Sequence, residues 1–168
     1  MKKVFTKRSL LFGLLLVTFV IAFELIFFYL SLPAWPAFMV MIFFFVAHED
    51  TRQSAPIVVG GLMGIFCVVL LEWFVEALQP LLGQPAAKFL FIGLFVYSIV
   101  LLKDALPRLF NSYAFMFFLV AALAKPGAKV SPWVWMGIEL VVGVIFILGI
   151  LGINRAVNAL LKKDEHGA

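Results

Sequence analysis

Residues 10–32 read LLFGLLLVTFVIAFELIFFYLSL, 23 residues whose only charged side chain is Glu24. A hydrocarbon layer about 30 Å thick is crossed by about 20 helical residues, so a run this long and this apolar reads as a membrane span. Lys2, Lys3, Lys7 and Arg8 precede it. A basic start before an apolar run also suits a signal peptide, but the run is too long and lacks a small-x-small cleavage site, so it is expected to stay as the first span.

The same texture continues along the chain. Of 168 residues, 65% are hydrophobic and 13% charged, with twenty Phe and a mean hydropathy of +1.15. Soluble domains sit near roughly 45–50% apolar and about 25% charged. The composition excludes a disordered chain, a secreted disulfide scaffold and an ordinary cytosolic enzyme. The remaining apolar runs are Trp35 to Ala47, Ala55 to Ala77, Ala87 to Leu102, Leu109 to Ala124 and Pro132 to Ile153. The expectation is therefore an all-α membrane protein of six transmembrane helices, one domain over 1–168, whose tail at 155–168 is cytoplasmic. Gln79 to Ala87 reads as the longest external connection and Lys125-Pro126-Gly127 as a tight one.

Charge sets the direction. With the N-terminus inside, ten basic residues face the cytoplasm (Lys2, Lys3, Lys7, Arg8, Arg52, Lys103, Arg108, Arg155, Lys162 and Lys163), while Lys88, Lys125 and Lys129 lie outside. The excess on one side predicts both termini cytoplasmic. Trp35, Trp73, Trp133 and Trp135 then all fall toward the outer boundary, the level that suits an apolar ring with a polar N–H. The basic balance thus reads as topology, not as nucleic-acid binding.

Ala37-Phe38-Met39 recurs as Ala114-Phe115-Met116, and Met63-Gly64-Ile65 as Met136-Gly137-Ile138. Both echoes map the first three spans (9–78) onto the last three (86–154). Three spans being an odd number, the second copy would be inverted, an arrangement common in transporters. Gly60 with Gly64, and Gly152 with Ala156, make small-xxx-small steps that let helices approach closely, within the chain or between copies of a homo-oligomer.

Few residues carry chemistry. Glu24, Glu72 and Glu139 fall within apolar runs, where a charge costs about 2.5–3.5 kcal/mol and so faces a bundle interior or water. Counted from their span ends, all three reach the outer half, so they are expected to converge, within a chain or across a subunit contact, on a polar cavity rimmed by Trp35, Trp73, Trp133 and Trp135. Tyr97, Asn111 and Tyr113 are candidates for a polar inner gate. His48-Glu49-Asp50 reads as a solvated loop with a capping carboxylate, and Cys67 as a small core residue. No nucleotide loop, nucleophile elbow, zinc motif or cysteine pair is present, so neither an enzyme nor a cofactor or metal site is expected.

The segment Leu32-Pro33-Ala34-Trp35-Pro36-Ala37-Phe38 and the stretch from Leu106-Pro107-Arg108-Leu109-Phe110 to Ala114-Phe115, together with length and span number, resemble the YcdZ-type small bacterial inner-membrane proteins. A looser similarity links the chain to the membrane part of fusaric-acid-resistance exporters. The resemblance implies the bacterial inner (plasma) membrane and no particular activity. The function expected from the residues is a small-solute channel or secondary permease. The alternative is a non-catalytic membrane subunit serving as substrate-binding component or assembly partner of another protein.

Overall fold

A computed structural model describes residues 6–166, with side chains as far as residue 162. Lys2 and Lys3 of the charge count lie outside the described residues, as does the side chain of Lys163. Among the described residues every regular element is helical: α1 (Lys7–Leu30), α2 (Trp35–Val46), α3 (Ser54–Leu82), α4 (Gln84–Leu102), α5 (Ser112–Ala124), α6 (Pro132–Ile138) and α7 (Val144–His166). A π turn, Glu139–Gly143, joins α6 to α7 without a break, so the last helix runs on through the sequence read as a tail.

Four helical stretches are long and apolar enough to cross a membrane: Lys7–Leu30, Thr51–Leu82, Gln84–Leu102 and Pro132–Lys162. The other two are short. At about 1.5 Å per residue, the 12 residues of α2 reach about 18 Å, well under a bilayer core of roughly 30 Å.

The helix ends follow from local chemistry. Thr6 caps α1, its hydroxyl accepting from the Ser9 N–H at 3.1 Å. Ser31 ends the helix in the left-handed region at φ 52°, and Leu32 N–H closes the turn onto Phe27 carbonyl at 3.0 Å before Pro33 forbids continuation. α2 ends the same way. His48 and Glu49 both have positive φ, and Glu49 N–H reaches Phe44 carbonyl at 2.9 Å.

The connection expected from Gln79 to Ala87 is shorter than the reading from residues. Pro80 sits inside α3, and Gly83 alone, at φ 77°, separates α3 from α4. Pro80 lacks a donor, but it lies so near the helix end that two more residues still wind on. The achiral Gly83 then makes the reversal that an L-residue resists, and Pro85 sits in the first turn of α4, where its missing N–H costs nothing.

α3 is the axis of the fold. α5 and α4 pack on it, α1 and α2 pack on α7, and α2 also lies against the π turn. The interior is filled by Val40 and Phe44 of α2, Ile57, Ile65 and Val68 of α3, Phe117 and Phe118 of α5, and Trp135, Phe146 and Ile150 of the last helix. Gly64 brings α3 and α5 together. A Cβ there would stand 2.8 Å from the Phe118 amide nitrogen, so the Gly60/Gly64 step serves a contact within the chain. Gly143 does the same for α2, where a Cβ would meet Val40 at 2.7 Å. Gly137, Gly152 and Ala156 face outward. α1 and α4 leave most of their length exposed: Phe27 is the buried residue of α1, and Ala87 and Phe95 those of α4.

Candidate functional site: the carboxyl of Glu139

Glu139 is the one charged-type side chain buried among the described residues, at 0% exposure. It opens the π turn, where an extra residue per turn widens the helix; such turns often occur at functional positions. Its seat is formed by glycine. Gly61 of α3 faces it so closely that a methyl in place of the glycine hydrogen would overlap Oε1 and crowd the Phe117 ring of α5. Neither carboxyl oxygen has a hydrogen-bond partner among the described residues.

One turn earlier on the same helix face stands Trp135, 1% exposed, whose indole Nε1 is likewise buried without an acceptor. Its ring meets Trp35 edge to face at 5.2 Å between centroids. The two indoles line a cavity of about 360 Å³ together with the Ser31–Pro33 turn and the Gly127–Val130 loop. A buried donor and a buried carboxyl, both unpaired, are the costliest groups in this interior. They stack below an open cleft that their own element helps to form.

The three carboxylates expected to converge do not do so within the chain. Glu24 is exposed on α1. Glu72 pairs with Lys125 at 2.7 Å and lines a separate cleft with Glu76 and Lys88. Depth explains the separation. Glu139 sits opposite Gly61, eleven residues before Glu72 on α3, about 16 Å along the helix axis. The last helix starts well below the end of α3, since Trp133 packs on Phe66 at 6.0 Å, so counting from Pro132 misplaces Glu139.

The remaining candidates take different places. Trp73 and Trp133 are 58% and 54% exposed, and Tyr97 is 61% exposed. Beside Tyr97, the Ser98 hydroxyl donates to Leu94 carbonyl at 2.8 Å, a self-contained bond within one helix. Asn111 is structural. Its Oδ1 accepts from Ala114 N–H at 2.9 Å and so caps α5, while its Nδ2 donates to Pro56 carbonyl of α3 at 3.1 Å and to Pro107 carbonyl at 3.0 Å. Gly60 leaves the room it occupies. Tyr113 packs on Phe43 at 5.2 Å.

Residue reasoning passed over two features. Gly61 carries no signal of its own beside Gly60 and Gly64; only its pairing with Glu139 across helices gives it a role. The second is a clasp at the other end of the bundle, where Asn154 of α7 donates to the Glu49 carboxylate beyond α2, with Arg8 and Ser9 lining the same small cleft. Asp50 caps the turn that follows, accepting from Arg52 N–H at 2.9 Å. The chain matches no family model, no curated protein and no solved structure.

Proposed function

We propose that the protein is a small-solute channel or secondary permease of the bacterial inner membrane, with Glu139 and Trp135 on its pathway. The observation that carries this reading is the Glu139 carboxyl, fully buried and without a hydrogen-bond partner among the described residues. In a membrane such a group is unfavourable unless it meets a cation, a proton or water during the working cycle. Trp135, one turn away on the same helix, reaches the cleft that Trp35 lines.

The packing supports six passes built from two inverted halves. Each half runs long helix, short helix, long helix. α1 packs on the last helix as α4 packs on α3, and α2 packs on the last helix as α5 packs on α3. Exchanging the halves thus maps these contacts onto one another, which is the pattern of an inverted repeat. In that correspondence Gly143, set against α2, answers Gly64, set against α5, and Gly137 does not. Short helices buried in protein at membrane depth are tolerated where neighbours satisfy their ends, as in the broken helices of transporters. Exposed Glu24, the charged residue of the apolar run 10–32, favours a second copy over lipid as its neighbour, hence a homo-oligomer.

The test uses liposomes containing this protein alone, with uptake of methylammonium, acetate and glycerol as probes spanning charge. Flux of at least one probe in the wild type, and its loss or loss of its pH dependence in Glu139→Gln, is the expected result. Folded wild type that moves none of them favours the second reading, a membrane subunit whose partner covers the exposed faces of α1 and α4.

A further inference from the structure

The cleft between α3, α4 and the end of α5 has a volume of about 470 Å³ and is unlike the Trp-lined one. Along α3 its wall alternates by the helical period. Val68, Leu71 and Val75 form an apolar floor, while Glu72, Glu76 and Gln79 form a polar edge displaced toward the helix end. α4 adds Lys88 one turn beyond its start, in a first turn where Ala87 N–H donates to Gly83 carbonyl at 3.1 Å and Pro85 has no N–H, leaving the N–H groups of Gln84 and Ala86. α5 adds Lys125.

The edge therefore carries two carboxylates and two ammonium groups. Lys125 and Glu72 neutralise each other at 2.7 Å. Glu76 and Lys88, both exposed, form no ion pair among the described residues. A ligand matching that remainder bears one anionic and one cationic group, and a ligand matching the floor bears an apolar chain that runs toward the middle of α3.

We propose that this cleft binds a phospholipid with a zwitterionic phosphoethanolamine headgroup, its phosphate at Lys88 and the start of α4, its ammonium at Glu76, and an acyl chain along Leu71 and Val75. A purely anionic headgroup would leave Glu76 facing phosphate, and a soluble zwitterion would leave the floor uncovered. The inference rests on α3 and α4 spanning a membrane; it does not depend on Glu139 or on transport. Lipid held here would wedge the α3–α4 hairpin against α5.

Native mass spectrometry of the full chain in detergent, offered equal amounts of phosphatidylethanolamine and phosphatidylglycerol, tests it. The wild type is expected to retain the ethanolamine lipid by roughly fivefold over the glycerol lipid, the scale of one charge-assisted contact at a wet site. The combined Glu76→Gln and Lys88→Gln variant should bring that ratio to about one with its melting curve unchanged, and Lys88→Arg should keep it. Equal retention by the wild type, or a preference that survives the double variant, overturns the proposal. Displacement by glycerophosphoethanolamine at the lipid's own concentration would assign the cleft to a soluble zwitterion and overturn it as well. A chain that moves no solute yet keeps the preference leaves this site standing and removes the transport reading.

Discussion

At Gly61 one added methyl would take the space of the Glu139 carboxyl and press on Phe117. Neither neighbour can retreat far, because Phe117 is fully buried and Glu139 belongs to a helix held on α2 by Gly143. Gly61→Ala is therefore expected to lower stability by about 1–3 kcal/mol, the range for overpacking, seen as a lower melting temperature in detergent. Combining it with Glu139→Ala should recover at least half of that loss, and strictly additive effects would show that the two residues do not share the space. Asn111→Ala removes a helix cap and an interhelical bond together, with an expected cost of about 1–2 kcal/mol. Asn111→Asp keeps the cap acceptor but sets a carboxylate oxygen against the Pro56, Pro107 and Arg108 carbonyls, to which it cannot donate, and should cost at least as much in the same melt.

The elements end where the backbone allows them to. His48 and Glu49 occupy the left-handed region, which costs an L-residue about 1–2 kcal/mol. His48 is exposed, so His48→Gly should remove strain without removing a contact and raise the melting temperature, by roughly 1 kcal/mol of stability. Gly83→Ala runs the other way: it places a Cβ at φ 77° and should cost about 1 kcal/mol or more. If both substitutions move the melt in one direction, backbone conformation is not what decides these turns. The clasp between Glu49 and Asn154 ties the strained end of α2 to α7, where rearrangement of the last helix would be felt first.

Across the whole molecule, the uneven placing of basic residues predicts one direction in the membrane. Both termini are expected on the cytoplasmic side and Gly83 on the other. With the buried Cys67 replaced, a cysteine at Gln84 should react with an impermeant maleimide from outside intact cells, and one at Asn158 only after permeabilisation. The reverse pattern would turn the molecule over. It would leave the packing intact but place the Trp35–Trp135 cleft on the cytoplasmic face.

Helix position and helix pairing are encoded differently in this chain. Apolar runs locate helices because a membrane-crossing backbone must satisfy its own hydrogen bonds, and that demand is written in consecutive residues. The positions of α1, α4 and the start of the last helix follow that rule; α2, too short to cross, is marked by its own apolar run after Pro33, and the burial of Cys67 by a small side chain within such a run. Depth and pairing are not written there. Glu24, Glu72 and Glu139 look equivalent when counted from their span ends, yet one is exposed, one joins Lys125 and one is sealed against Gly61. The difference arises because helices slide along one another until small residues meet bulky ones. Gly61 against Glu139 fixes how α3 sits along the last helix, Gly64 how it sits along α5, and Gly143 how the last helix sits along α2. Consecutive residues are enough to make this chain long apolar helices and to place where most of them begin. Which carboxyl is enclosed is a matter of packing, because enclosure depends on what lies across the interface and not on what lies next in the chain.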